Sequence, residues 1–254
     1  MPRTRKLISE NIKQSKLLAA EIDTSDFVKC NIQETAKGIF ESLAIWQKPK
    51  EEVISWVTGA FDWKIIEAAR ERGKGIIFIT PHMGCFEITS LYYGHFHPIT
   101  VLFRQPKRKW LSLLTSRGRA HNQVKLAPAN ASGVKMLIQA LKKGEAIGIL
   151  PDQIPAKGEG EWAPFFGKPA YTMTLASKLA NKTGANVIMA YGERLDDGRG
   201  FKIHLNLLAE GAIASPSSLN NALEEQIKEN PTQYLWAYPR YKTRARLIAK
   251  NADL

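Results

Sequence analysis

Gly75-Ile76-Ile77-Phe78-Ile79-Thr80 is a short apolar run rich in β-branched residues, followed at once by Pro81-His82-Met83-Gly84-Cys85-Phe86-Glu87. The run is too short for a helix, and its apolar character does not alternate. It reads as a strand buried on both faces, the kind that lies inside an α/β sheet. Working outward, Ile99-Thr100-Val101-Leu102-Phe103 and Ala146-Ile147-Gly148-Ile149-Leu150 repeat the pattern, the latter after a Lys142-Lys143-Gly144 helix stop. Residues 186–191 and 201–207 are two further strands, and the turn Asp196-Asp197-Gly198 between them indicates an antiparallel portion. Helical segments fall at 84–93, 106–119, 132–143, 172–182 and 219–229, the last with Ser218 as its cap. This alternation predicts the α/β class, with a mixed, mostly parallel central sheet covered by helices.

Upstream of the first strand the chain reads as helical. Residues 5–20 set Leu7, Ile8, Ile12, Leu17 and Leu18 among Arg5, Lys6, Lys13 and Lys16, a basic amphipathic pattern. Such a helix either lies on a membrane or target protein or packs on its own domain. Residues 26–46 carry Phe27, Ile32, Ala36, Ile39, Phe40, Leu43 and Trp46 near a helical period, with Asp26 as the cap. A further helix is expected over 50–71, ending at Gly73. The expected organisation is one domain over 1–254, with a helical N-terminal part (1–72) and an α/β part (73–254).

Composition narrows the function classes. The 254 residues are 44% hydrophobic and 24% charged, which excludes wholesale disorder and fibrous repeats. The formal net charge is +12, which favours a polyanionic partner: nucleic acid, an anionic membrane surface, or an acidic protein or substrate. Cys30 and Cys85 are the only cysteines, so a disulfide scaffold is excluded. The basic start has no apolar segment behind it to form a signal peptide. No stretch approaches the roughly 20 apolar residues of a spanning helix.

The candidate centre follows the first strand, because ligands in open α/β sheets sit beyond the carboxyl ends of strands. His82 is there, with Glu87 five residues on. About 100° per residue would separate the two side chains on one regular helix. They meet if His82 lies in the turn and Glu87 in the helix behind it, and Pro81 and Gly84 suit such a turn. A carboxylate on one imidazole nitrogen fixes the tautomer, leaving the other to take a proton from a hydroxyl. A structural histidine at a strand end is the plain alternative. Cys85 is a poorer nucleophile candidate. Among established motifs, Gly-x-Ser-x-Gly, zinc-ligand spacings, phosphate loops and dinucleotide fingerprints are all missing, which argues against nucleotide cofactors and zinc. His95 and His97 read as loop residues. Cations gather after the second strand at Arg104, Lys107, Arg108, Lys109, Arg117 and Arg119; arginine forks suit phosphates. Asp152 and Gln153 follow the third strand.

Read together, these segments resemble the lipid A late acyltransferases of Gram-negative bacteria, the lauroyl/myristoyl transferase family. The resemblance rests on six segments in order: His82 to Glu87 (His-x4-Glu), Arg104-Gln105-Pro106, Arg117-Gly118-Arg119, Leu141 to Gln153, Pro164 to Thr172, and Tyr234-Leu235-Trp236 through Arg240-Tyr241-Lys242. It implies a glycerol-phosphate-acyltransferase-like fold and transfer of an acyl chain from acyl-carrier protein to a hydroxyl of a lipid A precursor, at the cytoplasmic face of the inner membrane. It implies His82 as general base, Glu87 as its orienting carboxylate, direct attack on the thioester and no cofactor. By the same resemblance, Arg104, Arg117 and Arg119 bind acceptor phosphates or the developing oxyanion, and Asp152 and Gln153 hold the acceptor's head or shape the site. The family's usual N-terminal spanning helix is not matched, which leaves open whether an anchor precedes this sequence or the protein is peripheral. Two alternatives stand beside this reading. One is the same chemistry on another glycolipid or an amino-acid-containing lipid. The more distant one is a basic nucleic-acid-binding protein, for which no binding motif is present.

Overall fold

A computed structural model describes residues 2–19, 21–60, 62–106, 108–119 and 123–242. The apolar run before His82 forms β2 (Ile76–Ile79), the middle strand of a seven-stranded sheet. The other strands are β1 (Val57–Ala60), β3 (Ile99–Phe103), β4 (Val124–Pro128), β5 (Ala146–Ile149), β8 (Asn186–Arg194) and β9 (Phe201–Leu207), in the order β1-β9-β8-β2-β5-β3-β4. Every neighbouring pair is parallel except β8 with β9. The expected mixed, mostly parallel α/β sheet is therefore present. A separate antiparallel hairpin, β6 (Gly160–Phe165) with β7 (Lys168–Met173), stands apart from it.

β2 explains why its sequence is uniformly apolar. It lies in register between β5 and β8, with Ile77 opposite both Ile147 and Val187, and all four of its residues are buried. Ile77 and Ile79 enter one core with Leu137 and Leu141 of α7 (Ala131–Lys142), Leu179 of α8 (Leu175–Thr183) and Leu219, Leu223 and Ile227 of α9 (Pro216–Glu229). Ile76 and Phe78 enter a second core with Val53 of α3 (Lys50–Ser55), Ile66 of α4 (Lys64–Glu71) and Ile88 and Leu91 of α5 (Phe86–Phe96). Each such side chain contributes about 1.5–3 kcal/mol when buried. Helix-covered faces on both sides remove the alternation that a half-exposed strand would show.

The remaining helices are α1 (Pro2–Ser15), α2 (Ser25–Gln47) and α6 (Lys109–Arg119). α1 turns Ile8 and Ile12 into the first core and ties itself down through Asn11, whose amide donates to the Trp236 carbonyl at 2.8 Å. Of the two uses open to its amphipathic pattern, packing on its own domain is the one observed. α2 departs from expectation. Its buried residues are Val28, Asn31 and Ile45, whereas Ile39 and Phe40 of the apolar stripe are 60% and 71% exposed. Polar anchors set this rotation. Arg194 at the end of β8 binds Glu34 and Glu41, and the Asn31 amide donates to the Thr232 and Tyr234 carbonyls, each at 2.7 Å.

Three other expectations are corrected. The segment 50–71 is not one helix, because Val57–Ala60 leaves it to pair with β9 at the sheet edge. The helical N-terminal part thus supplies a strand. α9 is capped by Ser215 with Pro216 behind it, and Ser218 completes the capping box from the third helical position. α2 begins after Thr24, ahead of Asp26. Among the described residues no helix is long and apolar enough to cross a membrane.

Candidate functional site

The turn after β2 is held on three sides. The Met83 amide donates to the Pro81 carbonyl at 2.7 Å, the Gly84 amide to Gln233, the Cys85 amide to Gly192, and the Leu235 amide back to the His82 carbonyl at 3.0 Å. Gly84 has φ +56°, and a Cβ there would lie 2.1 Å from the Gly192 carbonyl oxygen. Only glycine lets the turn press this closely on β8. The turn therefore places His82 rigidly at the carboxyl end of the central strand.

His82 meets Asp152, which follows β5, the strand next to β2. Nδ1 lies 2.7 Å from Oδ1, and the His82 backbone amide donates to Oδ2 at 2.9 Å. Asp152 is 2% exposed. Burial works to raise its carboxyl. The charge and hydrogen bonds of His82, with a smaller contribution from Arg240, outweigh burial and hold the carboxyl below the ordinary carboxylate range. An ionised carboxylate at Nδ1 keeps the proton there, which leaves Nε2 as the acceptor. Two buried groups support Asp152 from behind. Tyr234 is beside it, its phenol pushed well above the ordinary value by burial and by the Asp152 charge. Arg240 donates to the Tyr171 carbonyl and the Thr172 hydroxyl, both at 2.7 Å.

Glu87 does not orient His82. It lies in the first turn of α5 and is buried, and both of its oxygens accept from Arg119. Nε of Arg119 is 2.8 Å from Oε2, and Nη2 also donates to Oε1. Arg119 lies in turn over the Phe103 ring, 5.2 Å from its centroid. The expected His82–Glu87 contact is thus replaced by two parallel pairs, His82–Asp152 and Glu87–Arg119. A turn residue and a first-turn helix residue diverge here, and the parallel neighbour strand brings Asp152 to the imidazole instead.

Both pairs border one cavity of about 580 Å³, which His82, Glu87, Arg104, Arg119 and Gln153 line. Its remaining walls are largely apolar, from Trp46, Phe86, Phe103, Leu126 and Met173 among others. Such a volume and lining suit a ligand with an extended apolar part and a few polar groups. Arg104, at the end of β3, is exposed at this cavity. Arg117 is exposed on α6 and does not line it. Lys107, part of the basic run, lies outside the described residues.

The competing candidates separate from the site. Burial pushes the Cys85 thiol far above its ordinary value, so it is a packed apolar group in the second core and no thiolate nucleophile. His95 and His97 join an aromatic cluster with Trp63 and Phe96. Among the described residues, no three His, Cys, Asp or Glu side chains gather as a metal site. Sequence reasoning passed over Tyr234 and Arg240 as site residues. Both lie in the last of the six matched segments, which was the available signal.

The chain is similar to known proteins over most of its length. The family profile described as bacterial lipid A biosynthesis acyltransferase matches residues 20–243. The chain is 24% identical over 250 residues to the lipid A biosynthesis lauroyltransferase of Escherichia coli K12, covering 96% of this chain and 81% of that protein. It is 25% identical over 222 residues to the palmitoleoyltransferase of the same organism, covering 84% and 71%. A lipid A biosynthesis acyltransferase of Haemophilus influenzae is 25% identical over 226 residues, covering 84% and 70%.

Proposed function

Since this chain belongs to the bacterial lipid A biosynthesis acyltransferase family, and is therefore an acyltransferase, we propose that it moves a fatty acyl chain from acyl-carrier protein to a hydroxyl of a lipid A precursor, with His82 as general base. The observation that carries the mechanism is the 2.7 Å contact from Nδ1 to buried Asp152 at the wall of the cavity. Nε2 takes the proton of the acceptor hydroxyl as its oxygen attacks the thioester carbonyl. The C–O bond forms, the C–S bond breaks, and the imidazolium returns its proton to the departing thiolate. Asp152 stabilises the imidazolium while it exists. No cofactor enters this scheme, and the acyl group arrives already activated as the thioester.

The other residues divide by charge. Arg119 is largely neutralised by Glu87, so in this scheme the pair shapes the pocket and aims guanidinium N–H groups at the cavity. Arg104 has no such carboxylate partner among the described residues and is assigned to an acceptor phosphate. Gln153 is assigned to the acceptor's polar head, and Arg117 to charge outside the pocket. The acyl chain occupies the apolar walls. The proposed place of action is the cytoplasmic face of the inner membrane, with the protein peripheral to it.

The test offers purified protein several acyl-acyl-carrier proteins and a lipid A precursor, and reads the product by mass spectrometry. One added acyl chain on the precursor, lost in His82→Ala, is expected. Full transfer by His82→Ala would overturn the general-base role. An unmodified lipid A precursor, together with an acylated lipid of another class in a whole-lipid extract, would move the acceptor to that class.

A further inference from the structure

α2 presents to solvent the stripe that its sequence would bury. Ala36, Ile39 and Phe40 are exposed, and Leu43 is half-buried. The helix turns its two mid-span carboxylates, Glu34 and Glu41, inward onto Arg194. The outward face is left apolar along its middle and flanked by exposed Lys29, Lys37 and Lys48, of which Lys37 also pairs with Glu34 and Lys48 with Glu52. The same helix reaches the cavity at its last turn, where Trp46 is a lining residue. α6 packs against that turn, Gly118 fitting directly under the Trp46 ring. It too faces outward with an apolar and a basic residue one turn apart, Leu113 (53% exposed) and Arg117.

An apolar strip rimmed by cations is complementary to the boundary between acyl chains and anionic headgroups. It is a poor match for a second copy of this chain, since a two-fold interface would set cationic rims against each other. We infer that the outward face of α2, with Leu113 and Arg117 of α6, seats the protein on an anionic bilayer surface beside the mouth of the cavity. Phe40 and Ile39 enter the acyl-chain boundary while the lysines remain among the headgroups. The inference rests on the acyltransferase reading for its purpose, since a lipid acceptor must be reached from the membrane plane, but binding can be tested without transfer.

Sucrose-loaded vesicles of phosphatidylethanolamine and phosphatidylglycerol are sedimented with the full chain and with the double variant Ile39→Ser/Phe40→Ser. Wild type is expected to bind, more weakly without phosphatidylglycerol. The double variant is expected to bind about tenfold or more weakly, from the loss of buried apolar area, at an unchanged melting temperature because both side chains are exposed. Phe40→Leu should retain most of the binding. Wild-type sedimentation by the double variant overturns the inference. So does a wild-type dimer that the double variant dissolves without any change in vesicle binding, since a second copy then covers the face. If wild type binds vesicles as described but transfers no acyl chain, this surface stands and the acyltransfer reading falls.

Discussion

The site holds two buried carboxylates that look alike in sequence and differ in what they hold. Asp152 faces an imidazole, and Glu87 faces a guanidinium. An imidazole gains and loses a proton near neutral pH, so its carboxylate partner governs a group that can carry a proton through a reaction. A guanidinium stays charged throughout, so its partner can only fix position and neutralise charge. In the proposed mechanism the partner, and not the spacing along the chain, assigns a carboxylate to proton transfer. The Asp152 pair comes from adjacent strand ends. The Glu87 pair comes from two helices, α5 and α6.

Substitutions should separate the two pairs most sharply in turnover. Asp152→Asn keeps the shape but lets Nδ1 accept, so the wrong nitrogen carries the proton. Transfer should fall on the order of 10³-fold, approaching the loss in His82→Ala. Glu87→Gln leaves the imidazole's partner in place and should cost roughly 10-fold to 100-fold in steady-state transfer, through displacement of Arg119. Stability in denaturant should respond at Glu87 as well. Glu87→Gln leaves a guanidinium facing a neutral amide. Arg119 retains some solvent contact, so the loss should be up to about 3 kcal/mol, at the low end for a broken buried pair.

A pH series sharpens the contrast without any assay of activity. The native Asp152 carboxyl lies below its unfolded value. Its stabilisation is complete above the unfolded value of about 3.9 and is lost as pH falls through the lower native value. The melting-temperature gap between wild type and Asp152→Asn should therefore close in acid, as pH falls below the unfolded value. A gap that widens in acid would contradict the depressed carboxyl. The smallest effect is expected at Cys85, close in sequence to His82 and outside both pairs. Cys85→Ala should leave transfer within about twofold, with about 1 kcal/mol lost to imperfect packing.

How legible all this was depends on where the partners lay. β2, β3, β5 and β8 announce themselves by apolar runs, because helices cover both faces of the sheet, and β9 by the alternation of Phe201, Ile203, Leu205 and Leu207 with polar residues. β1 is four residues inside a stretch whose apolar spacing reads as helix, and it exists only because β9 offers an edge. β6 and β7 carry Pro164 opposite Pro169, which mimics a loop. A two-stranded hairpin tolerates proline on its free edges. The site divides in the same way. His82 was found from its position after a strand, and Asp152 was noticed for the same reason. Their pairing depends on β2 and β5 being neighbours, which no local pattern encodes across 70 residues. The near carboxylate, Glu87, drew the expectation instead. α2 shows the converse: its apolar period was correctly seen, but the buried demands of Arg194 and the Tyr234 carbonyl decided which face turned inward.

The proposed mechanism requires that Asp152, and not Glu87, set the tautomer of the His82 imidazole. The most direct measurement is the ¹⁵N NMR spectrum of His82, followed as pH is raised until the imidazole is neutral, in wild type, Asp152→Asn and Glu87→Gln, assigned by loss of its signals in His82→Ala. A protonated Nδ1 with a bare Nε2 is expected in wild type and in Glu87→Gln, and loss of that pattern in Asp152→Asn. Retention of the wild-type pattern in Asp152→Asn with its loss in Glu87→Gln would contradict it.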